Sequence, residues 1–138
     1  MSATKPKIKH VNMSALKKKA WKHFSWAVRT KGAYDPGDGG LWNKCYTCGR
    51  IIPCKMLQAG HFIPGRHNKN LFDYRGCRPQ CYVCNIRLKG NSIIYYKKMQ
   101  EEVGQEVIDE LMAQDRIPFP FTVEFLRQII QDCPLNTP

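Results

Sequence analysis

Cys45 and Cys48 form one Cys-x-x-Cys pair, Cys81 and Cys84 form a second, and His61 lies in the segment between them. A pair spaced by two residues in a tight turn presents both sulfurs from one side, and two such knuckles supply the four thiolates of a tetrahedral zinc site. The competing reading, four free or disulfide-bonded thiols, fits this spacing poorly. A zinc ion with all four positions filled by protein has none open for water, so it would hold a fold and leave the chemistry to other groups. The segment between the knuckles closes into a loop whose ends meet at the metal. It carries Ala59, Gly60, His61, Phe62 and a run of basic and amide side chains.

The chemistry this segment suits is hydrolysis of a phosphodiester. A neutral imidazole near its ordinary pKa deprotonates water well at physiological pH, which is the role open to His61. A hard divalent cation with oxygen ligands, Mg²⁺ or Mn²⁺, would bind the scissile phosphate and offset charge on the leaving oxygen. Taken alone, His61 also fits a purely structural histidine.

The elements that must position these groups are read from periodicity. Leu16, Ala20, Phe24, Ala27 and Val28 recur at helical spacing with lysines on the other faces, which predicts an amphipathic basic helix over 14–30. Ser14 is its candidate N-cap and Gly32 its stop. Trp21 and Trp26 lie off the stripe and either widen the buried face or meet a partner, core packing being the preferred reading. The run from Tyr34 to Gly40 is turn chemistry throughout. Two short strands are expected near Arg50 to Ile52 and Leu57 to Phe62, then an irregular loop from Pro64 to Tyr74. Beyond Cys84 the chain turns helical, with stretches from about Ser92 to Gly104 and on to Gln114. Pro118 and Pro120 force an extended segment, and Thr122 caps a last helix through Gln131 with Val123, Leu126, Ile129 and Ile130 on its apolar face. Tyr95 and Tyr96 are expected in the core. The organisation is one α+β domain over 14–138: the helix 14–30, a core over 41–103 and C-terminal helices over 105–132. Residues 1–13 read as a basic, disordered arm.

Charge points to the partner. Lys and Arg number 22 against 11 Asp and Glu, a formal charge of +11, which in a soluble chain indicates a polyanion such as nucleic acid. Arg66, Lys69, Arg75, Arg78, Arg87 and Lys89 all fall around His61 in sequence and are the candidate DNA contacts. Seven cysteines without a secretory signal indicate a reducing compartment and a cytoplasmic location, and no apolar run is long enough to span a bilayer. Cys54 and Cys77 fit knuckle spacing less well and read as buried free thiols.

The ordered set Cys45-Tyr-Thr-Cys48-Gly, Ala59-Gly60-His61-Phe62, Phe72-Asp73-Tyr74-Arg75, Pro79-Gln80-Cys81-Tyr-Val-Cys84-Asn85, Gly90-Asn91 and Tyr95 resembles the NinG (Rap) family of phage recombination nucleases. The resemblance runs from about Leu16 to the last helix. It implies a small zinc-stapled ββα-metal, HNH-like core flanked by α-helices, similar to that of phage recombination endonuclease VII. It also implies cleavage of branched recombination intermediates such as Holliday junctions and D-loops, inside the infected bacterial cell. His61 matches the general base, and Asn85 the metal-binding amide of the helix, although Asn85 also suits a helix cap. Where many HNH proteins carry an acidic ligand just before the histidine, this chain has Gly60. Asp73 is the first candidate to replace that ligand and His67 the second. Asn91 either caps a helix or approaches the metal. Gly76 and Arg78 stand where the family pattern resembles Asn and His. Paired nicks in a symmetric junction need two active sites, which implies a homodimer built on the first or last helix. The rival readings are a non-catalytic zinc-ribbon DNA-binding module and a nuclease of ordinary duplex DNA.

Overall fold

The computed structural model describes residues 10–135. The proposed disordered arm falls mainly on residues 1–9 and lies outside them. Helix α1 spans Met13–Thr30, capped by Asn12, whose side-chain oxygen accepts the Ala15 N–H at 3.1 Å. The cap is therefore two residues ahead of the Ser14 expected. Gly32 takes φ +77° just past the helix, a left-handed turn that glycine adopts without steric penalty.

Four short strands follow: β1, Trp42–Lys44; β2, Ile51–Pro53; β3, Gln58–His61; and β4, Cys77–Gln80. The two expected strands exist as β2 and β3, but they do not pair with each other. β2 pairs antiparallel with β1 across the first knuckle, while β3 pairs antiparallel with β4, Gly60 opposite Arg78 and His61 opposite Cys77. His61 is thus carried by a ribbon closed over the 62–76 segment. That segment holds two single-turn helices, Lys69–Phe72 and Tyr74–Gly76. A short, wide-turn helix, Val83–Arg87, leaves the second knuckle, and three α-helices follow among the described residues: α2, Ser92–Glu102; α3, Gln105–Gln114; and α4, Val123–Asp132. Thr122 caps α4 through the Phe125 N–H, as its sequence position requires.

The largest apolar cluster lies where α1 crosses the β3–β4 ribbon and meets α4. Ala20, Phe24 and Val28 form one stripe of α1 and pack with Ala59, Phe72, Cys77, Leu126 and Cys133. The apolar faces of α1 and α4 pack against each other and against the ribbon. A second cluster joins α2 to α3 through Tyr95, Met99, Ile108 and Leu111. Tyr95 is buried as expected, whereas Tyr96 is exposed and hydrogen-bonds Gln105. Its position one residue on from Tyr95 turns it off the buried face. Cys54, Cys77 and Cys133 are all buried and stand apart from the knuckles. No helix among the described residues is long and apolar enough to cross a membrane.

Candidate functional site

The four knuckle sulfurs converge. The Sγ atoms of Cys45, Cys48, Cys81 and Cys84 lie within 4.8 Å of one another, and those of Cys48 and Cys81 are 3.8 Å apart. A tetrahedron with Zn–S bonds of about 2.3 Å has edges of about 3.8 Å, so the cluster fits zinc. The first knuckle is closed by Gly49, at φ +79°, whose N–H reaches the Cys45 carbonyl. In the second, the Cys84 N–H points at the Cys81 sulfur, 3.4 Å away. Asn91 does not cap α2 through its side chain but donates to the Cys84 sulfur at 3.6 Å, which places it beside the metal site. Burial opposes ionisation of Cys45, yet hydrogen bonds from the backbone of Cys81 and Cys48 and from Thr47 outweigh it and hold the thiol at about 6. Burial pushes Cys48 up to about 12. Four crowded sulfurs cannot all ionise by themselves, and a dication among them removes that conflict.

Gln80, at the end of β4 and fully buried, ties this cluster to the ribbon. Its Nε2 donates to the Thr47 hydroxyl at 3.1 Å and the Gly90 carbonyl at 3.0 Å. From the other side, the Tyr95 hydroxyl donates to the Gly60 carbonyl at 2.8 Å, pinning β3 to α2.

His61 closes β3. Its Nε2 lies 3.1 Å from the Leu71 carbonyl, and its ring stacks on Trp21 with centroids 5.3 Å apart and planes 24° from parallel. A carbonyl can only accept, so that hydrogen bond places the proton on Nε2 and leaves the Nδ1 lone pair as the basic site. Burial lowers the pKa of His61 below its ordinary value, partly countered by the Leu71 carbonyl, so the ring is neutral at physiological pH.

Asn85 sits in the wide-turn helix. Its Nδ2 donates to Gln58 Oε1 at 2.7 Å, joining the helix to the start of β3, and its Oδ1 makes no hydrogen bond among the described residues. It does not cap the helix. Asn85 lines a cleft with Trp21, Ser25, Arg29, Gln58 and Ala59. His61 does not line this cleft but shares Trp21 with it. Arg29 enters with its donors on the backbone carbonyls of Ser25, Cys54 and Leu57, and no carboxylate balances its charge among the described residues. Gln58, Arg29 and the stacking role of Trp21 carried no signal in the sequence beyond their alternation or helical offset.

The remaining candidates are placed elsewhere. Asp73 accepts from Arg75 N–H and Nε on one oxygen, and from Arg75 Nη2 and Gln114 Nε2 on the other. Those bonds outweigh the effect of burial and lower its pKa. As placed, the carboxylate holds the 69–76 loop against α3 and has no lone pair to spare for a cation. His67 is exposed, and its carbonyl receives the Phe119 N–H. Among the supposed DNA contacts, Arg75 is spent on Asp73 and Glu110, and Arg78 pairs with Glu102. Nothing in the sequence signalled these ion pairs with Glu110 and Glu102, which lie 35 and 24 residues away. Arg66, Lys69, Arg87 and Lys89 are exposed and form no ion pair among the described residues.

A family model described as "Bacteriophage Lambda NinG protein" matches residues 3–135. The chain is 34% identical over 86 residues to protein ninG of Escherichia phage 933W, a stretch covering 62% of this chain and 42% of that relative. It is 32% identical over 68 residues to protein ninG of Escherichia phage lambda, covering 49% and 33% of the two chains. With protein ninG of Salmonella phage P22 the figures are 30% over 73 residues, 52% and 36%. The matched stretches thus span less than half the length of these curated relatives. No solved structure matches the chain. The family match over nearly the whole length, with the knuckles, His61 and Asn85 inside it, means that this chain belongs to the NinG family of phage proteins.

Proposed function

We propose that the chain is a metal-dependent DNA endonuclease acting on branched recombination intermediates. The observation that carries the reading is the hydrogen bond from His61 to the Leu71 carbonyl, which fixes the tautomer a general base requires. The order β3, β4, wide-turn helix supports it, since this is the strand-strand-helix sequence of an HNH-like site, with His61 ending the first strand and Asn85 in the helix.

In this reading the Nδ1 of His61 takes a proton from water, the Trp21 ring keeps the imidazole from rotating, and Leu71 holds the opposite nitrogen. Arg29, lacking a carboxylate partner, attracts a phosphate to the cleft. Mg²⁺ or Mn²⁺ would offset charge on the leaving oxygen, with the Asn85 Oδ1 as its protein ligand and phosphate oxygens and water completing the shell. Asp73 is not assigned to that ion, because its oxygens are already used. Arg66, Lys69, Arg87 and Lys89 would contact the backbone of the DNA. Paired nicks call for a homodimer.

The test is cleavage of a labelled four-way junction by wild type and His61→Ala, with and without Mg²⁺. Cutting only by wild type with Mg²⁺ supports the reading. Equal binding with no cutting by either would leave the rival, a zinc-ribbon DNA-binding module, which the separation of His61 from the Asn85 cleft favours. Linear duplex cut as fast as the junction would assign the activity to ordinary duplex DNA.

A further inference from the structure

A second concave surface lies on the opposite edge of the same ribbon. Where the cleft beside Asn85 borders β3, a pocket of about 400 Å³ borders β4 and the C-terminal end of α1. Its walls carry Lys31, Lys44, Arg78 and Lys98 around Tyr46, with Glu102 as the carboxylate among them. Four cations facing one carboxylate are an arrangement that favours an anion.

Arg78 defines what kind. Its side chain is only 15% exposed, its Nη1 bonds Glu102 at 2.6 Å, and its Nε is buried with no hydrogen-bond partner among the described residues. A guanidinium whose Nη1 is held by one exchangeable carboxylate at a basic pocket wall is suited to an oxyanion such as phosphate. Glu102 currently fills the place of that ligand, accepting from Arg78 and from the Tyr46 hydroxyl, each at 2.6 Å. The Tyr46 ring lies 5.0 Å from the Arg78 guanidinium carbon and 5.5 Å from Lys98 Nζ. The ring thus holds two cations over itself at the pocket, an arrangement suited to the phosphates of a single strand.

We propose that this pocket is a second nucleic-acid contact, binding the sugar-phosphate backbone of a strand other than the one held in the Asn85 cleft. The proposal rests on the nucleic-acid reading above and adds a site on the far side of the ribbon. Two strand sites on opposite edges would let one domain hold two arms of a branched substrate.

The experiment uses intact, zinc-loaded protein carrying His61→Ala, so that binding is read without cleavage. Anisotropy of a labelled single-stranded oligonucleotide is measured for this protein, for Lys31→Glu with Lys98→Glu, and for a control pair of exposed residues outside the pocket, Lys22→Glu with Lys97→Glu. Thermal melts confirm that both pairs fold. The pocket pair is expected to weaken binding by about tenfold or more and to flatten the salt dependence by roughly one to two in log–log slope, with the control pair changing far less. Equal losses from both pairs would mean a diffuse field and overturn the site. Glu102→Gln is expected to tighten binding more than Glu101→Gln, because only Glu102 competes for Arg78; equal gains would also overturn it. Inorganic phosphate is the competing probe. If it binds as tightly as the oligonucleotide, the pocket takes free phosphate and the strand proposal falls. None of these outcomes depends on whether His61 is catalytic.

Discussion

Gln80 occupies the space that a side chain at position 60 would need: a Cβ added to Gly60 would lie 1.9 Å from Gln80 Oε1. The glycine that precedes His61 is therefore a steric requirement of this fold. Gln80 cannot move aside cheaply, since its amide joins Thr47 at the first knuckle to Gly90 beyond the second. Gly60→Ala should destabilise the protein by about 1–3 kcal/mol. In a double-mutant cycle, Gly60→Ala with Gln80→Ala should cost less than the sum of the single changes, measured by urea unfolding. Strict additivity would show that the two residues do not compete for space.

Zinc should be inseparable from folding. Protein prepared without chelator is expected to hold about one zinc per chain, and Cys81→Ala or strong chelation should abolish the cooperative melt, because the two ribbons meet at the cluster. A chelated protein that melts as before would show that the cluster does not staple the fold.

The pH profile of cleavage should reflect the buried imidazole. With its pKa lowered, His61 remains a neutral base to below its ordinary value, so the acid limb of kcat/KM should lie under pH 6.5. The stability sign follows the same shift. The neutral ring is favoured in the folded state, so its contribution is fully present above the unfolded pKa and is lost as pH falls through the folded one. Trp21→Ala, which opens the ring to water, should move the acid limb upward and lower kcat more than it raises KM. An unmoved limb would deny Trp21 a positioning role.

Asp73→Asn separates a structural carboxylate from a metal ligand. The residue holds Arg75 and Gln114, so the change should cost about 1–3 kcal/mol of stability. At a temperature where the variant is folded, Mg²⁺-dependent cleavage should stay within a few-fold of wild type. A loss of two or more orders of magnitude, with stability intact, would return Asp73 to the cation.

The sequence by itself determined the parts whose physics is local. The two Cys-x-x-Cys pairs announced the cluster because sulfurs two residues apart in a turn need no distant information to converge. The bounds of α3, the Thr122 cap and the buried stripe of α1 followed from periodicity and capping, which act within a few residues. Partnerships between distant segments were decided only by the tertiary structure. Strands of three or four residues carry too little pattern to choose partners, so that β2 joins β1 and β3 joins β4 could not be read from their residues. The ion pairs of Arg75 with Glu110 and of Arg78 with Glu102 span 35 and 24 residues, so only the fold could bring them into contact. Gly60 shows the same division: its identity is printed in the chain, but its reason, the amide of Gln80, exists only once β3 lies against β4.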